Sequence, residues 1–131
     1  MRTIVRLTCL LLLGLGLWQP LRAQQKHSID LSTQTLSLPE RGFYVQQVID
    51  ARTDTTTLGQ VHLGIGNRPV ETALPGRTAP YLLAYLGRQL PARPTDRPIV
   101  LRINTLRVTE TITYNSETSK AQCTLEWYEP L

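Results

Sequence analysis

The chain has 131 residues, with 14 Lys and Arg against 10 Asp and Glu and a formal net charge of +4. Arg2, Arg6 and Arg22 lie in the first 23 residues, so the other 108 carry 11 basic and 10 acidic side chains, dispersed along the chain. That balance excludes recognition of nucleic acid or of an anionic membrane by bulk charge, and the length suits one domain with one core.

Arg2 and Arg6 precede an apolar run from Leu7 to Trp18 that only Thr8, Gly14 and Gly16 interrupt. Gln19 to Ala23 follows, with Pro20 stopping the helix and Ala23 at the cleavage position, the pattern of a secretory signal peptide over residues 1–23. The 12-residue run is too short to span a bilayer, which takes about 20 residues, so no integral span is expected once the leader is removed. Cys9 sits near the start of the run rather than after it, so no lipid attachment is expected there. Cys123 is then the single cysteine of residues 24–131, no intramolecular disulfide can form, and we read Cys123 as a small buried apolar residue.

Ile29/Leu31 and Leu36/Leu38 fall on opposite phases, which predicts one weak strand or two short pieces. Pro39 to Gly42 reads as a turn. Gly42 to Asp50 predicts a strand with Phe43, Val45 and Ile49 on one face and Tyr44, Gln46, Val48 and Asp50 on the other. After a polar loop over 52–57, Val61, Leu63 and Ile65 alternate as a second strand, and Gly66 to about Gly76 reads as a loop. A single helix is expected over about 79–90, with Thr78 as N-cap and Pro80 in the first turn. Leu82, Tyr85, Leu86 and Gln89 form its sheet-facing side.

A proline-rich connector, 91–98, leads to the longest strand pattern. Ile99, Leu101 and Ile103 hold the odd positions, and Leu106, Val108, Ile112 and Tyr114 the even ones. The slip of one residue near Asn104-Thr105 is the signature of a β-bulge or sharp bend. Ala121, Cys123, Leu125 and Trp127 then alternate with polar residues as a half-buried last strand. This order predicts an α+β domain over 24–131, a mostly antiparallel sheet of about five strands with one covering helix. With the last strand ending three residues before the terminus, the expectation is either an associating edge or a domain shortened at its C-terminus.

Gly64-Ile-Gly66 lacks the third glycine of a dinucleotide loop, and 69–76 separates it from the helix, so it reads as the end of a strand. Asp50, Arg52 and Asp54 form the candidate interaction loop. Two carboxylates with an arginine between them do not make a calcium cage; Arg52 is expected to pair with Asp50 or Asp54, or an aspartate to order the turn. His27, His62 and Cys123 are too few and too far apart for structural zinc, and no nucleophile motif is present. No catalytic residue, cofactor or metal is therefore expected. Tyr81 and Tyr85 on the helix, and Trp127 and Tyr128 on opposite faces of the last strand, are expected as packing residues.

The Val48-Ile-Asp50-Ala-Arg52 strand end, the Leu58-Gly59-Gln-Val61 restart and the Arg102-Ile-Asn-Thr-Leu-Arg-Val108 strand resemble a bacterial envelope family. These are the auxiliary lipoproteins of ABC-type lipid and solvent-tolerance transporters and the related YajG-like lipoproteins, and the likeness runs from about Phe43 to Trp127. The resemblance implies a non-catalytic periplasmic accessory domain. The expectation is thus an exported, non-enzymatic protein of the periplasm or envelope, or a secreted one, that binds a protein or lipid-assembly partner or self-associates through its C-terminal edge strand. The alternatives are a small secreted hydrolase with dispersed carboxylates or a histidine, and a shortened homologue without function.

Overall fold

A computed structural model describes residues 26–131, and the leader read over 1–23 lies outside the described residues. Six strands and one helix follow in the order β1 (His27–Ser28), β2 (Phe43–Asp50), β3 (Gly59–Leu63), β4 (Arg68–Ala73), α1 (Thr78–Gln89), β5 (Arg97–Ile112) and β6 (Glu117–Tyr128). All the strands share one sheet, with β5 as its spine. β6 lies antiparallel along one side of β5, from Val100 to Ile112. On the other side β2 runs parallel from Arg97 to Ile103, and β3 joins farther along, Gly59 opposite Val108 and Gln60 opposite Thr109. β4 returns antiparallel beside β3, and β1 adds a short parallel piece to β4. Among the described residues no helix is long and apolar enough to cross a membrane.

The α+β class and, among the described residues, the single helix agree with expectation, but the sheet is mixed rather than mostly antiparallel: three of its five pairings are parallel. The cause lies between β2 and β3, where the chain continues along the same side of β5 without reversing. Alternation of side chains records which face is apolar and carries no information on the direction of the neighbouring strand.

The β5 register slips between Ile103 and Thr105, where the phase change predicts it. A second slip, between Val45 and Gln47 of β2, overrides the expected alternation. It puts Val45 and Val48 on the same face, leaves Ile49 40% exposed, and brings Asp50 opposite Ile103 on the covered side. Val45, Val48, Ile99 and Ile103 form the buried core, and Ala79, Leu82, Leu83 and Leu86 of α1 pack on it. The N-cap is Arg77, with extended backbone and no side-chain cap bond, rather than Thr78, which lies inside the first turn.

The loop expected after Gly66 is in part a strand. The segment after Gly66 contains β4, closed into a hairpin with β3 by a turn in which Asn67 N–H donates to Gly64 O at 3.1 Å. Gly64 and Asn67 take left-handed φ of 78° and 47° there, the conformation glycine and asparagine tolerate best. Ile65, expected in the strand, is fully exposed at the tip. Pro69 disguised β4, since proline demotes a strand in a sequence reading; it is accommodated because β1 covers only Thr72 and Ala73, leaving Pro69 on an open edge.

The stretch Ile29 to Leu38 is not a strand either. It crosses α1 as an arm, held by a stripe of residues four apart on the helix. Leu31 N–H donates to Tyr81 Oη at 2.8 Å, Tyr85 Oη donates to Gln34 O at 3.3 Å, and Leu36 N–H donates to Gln89 Oε1 at 3.0 Å. The two tyrosines thus pack and also use their hydroxyls. The half-buried reading of the last strand fails outright, because all twelve residues of β6 are exposed, Cys123 among them. The 12-residue helix lies over β2, and among the described residues no second layer covers β6.

Candidate functional site

β2 stops opposite Ile103 and β3 starts opposite Val108, so one side of β5 has no strand beside it between them. The loop of the candidate residues fills that gap. Ala51 N–H donates to Ile103 O at 2.9 Å, and Val108 N–H to Leu58 O at 2.6 Å. Between these bonds Arg52 Nη1 donates to Thr57 O at 3.0 Å and to Leu106 O at 3.4 Å. The guanidinium stands where a strand would be, satisfying two partly buried carbonyls that no strand pairs there.

Arg52 also binds Asp50 in a fork, Nε to Oδ1 at 2.8 Å and Nη2 to Oδ2 at 2.7 Å, and reaches Thr78 Oγ1 at 3.0 Å. The Arg52 and Asp50 side chains are only 6% and 9% exposed. Two flat groups in bidentate contact hold the end of β2, the gap in the sheet and the start of α1 in one unit. Asp54 stands apart and exposed, accepting from Thr56 N–H at 2.8 Å and Thr56 Oγ1 at 2.6 Å, an Asx turn. A polar cleft of about 400 Å³ opens beside this junction, lined by Asp50, Thr55 to Thr57, Arg77 and Thr78.

A second ionic cluster, which the sequence reading passed over as connector, sits at the opposite end of the sheet. The Asp96 side chain is 1% exposed and accepts from Arg93 N–H at 3.0 Å and Arg93 Nε at 3.2 Å, with Arg41 Nη2 at 3.6 Å. The two guanidiniums continue to backbone carbonyls, Arg93 to Pro39 at 3.0 Å and also to Arg41, Arg41 to Phe43 at 3.0 Å and also to Pro91. The Arg-x-x-Asp spacing at 93–96 was the available signal, but its value depends on Arg41, which only folding brings there.

Both buried aspartates predict acid sensitivity. Hydrogen bonds from Arg52 hold the Asp50 carboxyl below its ordinary value of 3.8 against the opposing effect of its own burial. Hydrogen bonds from Arg93 do the same for Asp96. In each case the unfolded chain binds a proton more readily than the native one, so the stabilisation is complete above 3.8 and is lost as pH falls through the lowered native values. Thermal midpoints measured from about pH 6 down to about pH 2 should fall steeply on the acid side, and Asp50→Asn should flatten that limb.

Between the two clusters runs an apolar groove of about 480 Å³. Phe43 and Val45 of β2, Ile99 and Leu101 of β5, and Leu125 and Trp127 of β6 make its floor; Leu86 of α1 and Leu90, which caps that helix, form a wall, and Leu36 and Leu38 of the arm close it. The groove exists because α1 covers β2 and stops short of β6. Trp127 is 63% and Leu125 48% exposed, on a sheet face that a two-layer domain would ordinarily bury. Arg97 and Glu129, paired at 2.8 Å, supply the charged lining.

No protein-family model, curated protein or solved structure matches the chain. The chemistry available is therefore that of the groove and its surroundings. Apart from one exposed ion pair its lining is apolar, which suits burial of a hydrophobic segment with a polar group left at the Arg97–Glu129 rim. His62 lies elsewhere, on β3, its backbone N–H donating to Glu110 Oε2 and its Nδ1 3.3 Å from the same oxygen. That N–H is the main cause holding the Glu110 carboxyl below its ordinary range. Neither residue lines the groove or the polar cleft, and the described residues contain no group of three His, Cys, Asp or Glu able to hold a metal.

Proposed function

We propose that this chain is a non-catalytic binding domain of the bacterial envelope whose groove receives an apolar segment of a protein or lipid-assembly partner. The observation that carries the reading is the open groove of about 480 Å³ with Leu125 and Trp127 exposed on its floor. Contiguous exposed apolar surface of this kind marks interaction sites in folded proteins, and a rigid tryptophan beside a cavity is the residue type that dominates binding energy when buried by a partner. The envelope assignment is supported by the leader pattern of residues 1–23 and by the likeness of Phe43 to Trp127 to transporter-associated lipoproteins. A hydrolase would call for His62 or two carboxylates converging in a cleft, and His62 instead meets Glu110 away from both.

Capture from envelope fractions tests this reading. Wild-type protein should retain a partner that Trp127→Ser and Leu125→Ser each retain at least about tenfold less well. Equal retention by wild type and both variants, or no retained partner at all, would overturn it.

A further inference from the structure

The geometry of β6 points to a second copy of this chain as its lateral partner, joined through an antiparallel β6–β6 pairing centred on Cys123. β6 is twelve residues long, exposed throughout and, among the described residues, bonded on one side only, to β5. Its other side presents a row of N–H and C=O groups that no strand among the described residues pairs. Of the usual guards of such an edge, a proline, a bulge and a very short strand are absent: residues 117–128 contain no proline, the slip in the β5–β6 ladder falls at Asn104 on the β5 side, and the guards β6 does carry are the charges of Glu117, Lys120 and Glu126.

A two-fold axis normal to the sheet keeps each apolar face on its own side, so residues facing across the join must share parity. Of the registers this permits, the one centred on Cys123 sets Lys120 opposite Glu126 of the second copy, twice over by symmetry. It also sets Ala121 opposite Leu125, Ser119 opposite Trp127, and Thr118 opposite Tyr128. Registers centred on Gln122 or Thr124 place Lys120 against Thr124 or Tyr128, and those centred on Lys120 or Glu126 put like charges together. Lys120 has no ion-pair partner within its own chain among the described residues, whereas Glu126 lies 3.3 Å from Arg102. Glu117 falls opposite Glu129, beyond the end of the strand, where Arg97 neutralises Glu129.

The pairing leaves the groove face open, so it stands independently of the groove's role. Two grooves would then run side by side on one continuous sheet, Trp127 of each copy beside Ser119 of the other.

Sedimentation of the full chain tests the pairing. We expect a dimer at concentrations on the order of 10 μM. Lys120→Glu, an exposed change, should weaken it at least about tenfold by facing Glu126 with a like charge. Glu126→Lys should weaken it similarly, and mixing the two variants should restore association, because both facing pairs in the heterodimer are again opposite in sign. In a Cys9→Ser background, diamide should link the copies rapidly: two Cys123 thiols lose two protons and two electrons to diamide, which becomes the hydrazine as one S–S bond forms. Directly opposed residues lie about 4.5–5.5 Å apart, within disulfide reach. Gln122→Cys in a Cys9→Ser, Cys123→Ser background should not link. A monomer at concentrations on the order of 100 μM, a dimer indifferent to Lys120→Glu, or equal linking at 122 and 123 would overturn the proposal.

Discussion

Gly59→Ala is expected to destabilise the protein by about 3 kcal/mol, the largest effect of any Gly→Ala change among the described residues. Gly59 has φ +131°, a region in which L side chains are strained, and a Cβ there would sit 1.9 Å from the carbonyl oxygen of Val108. That contact is with backbone in the spine of the sheet and cannot be relieved by turning a side chain. It lies at the seam where β3, and through it β4 and β1, join β5, a seam of two residue pairs only, Gly59 with Val108 and Gln60 with Thr109. Urea denaturation should show the loss, and amide exchange at Val108, whose N–H donates to Leu58 O, should accelerate. Gly76→Ala is the control: φ is +69°, nothing lies within 4 Å, and the expected loss is about 1 kcal/mol. Equal effects at the two positions would refute the seam argument.

Arg52→Ala should destabilise by about 3 kcal/mol, because it strands Asp50 as an unpaired carboxylate at a site where its side chain is 9% exposed. It also removes the donors to the Thr57 and Leu106 carbonyls and to Thr78 Oγ1. Arg52→Lys should recover little, since an ammonium cannot reproduce the fork onto Asp50 while reaching the carbonyls. Asp54→Ala, which touches only the exposed turn, should leave the denaturation midpoint almost unchanged. Chemical denaturation at constant m-value separates these cases, and an Arg52→Ala midpoint equal to that of Asp54→Ala would show that the guanidinium is not the joint we describe.

The candidate loop was legible as chemistry but not as placement. Two aspartates flanking an arginine in five residues announce an ion pair, and the pairing with Asp50 is there. What the spacing could not convey is that the guanidinium faces inward, because that depends on the gap between β2 and β3 along β5. The same holds for Asp96, whose partner Arg41 is 55 positions away in the chain. The groove was less legible still. Leu125 and Trp127 alternate with polar residues whether or not anything covers them, so the pattern marked an apolar face and wrongly implied a buried one.

Local pattern alone determined a great deal here. The helix with Pro80 in its first turn, the long β5 with its slip at Asn104, and the apolar stripe of β6 all follow from periodicity and backbone restriction, which act over a few residues. The strand behind Pro69, the bulge at Gln46 that turns Val48 and Asp50 toward the core, the parallel course of β2 and β3, and the bare face of β6 were decided only by tertiary structure. Each depends on which element lies beside or above another, and a helix of one length laid over one strand leaves its neighbour open for reasons that neither segment contains.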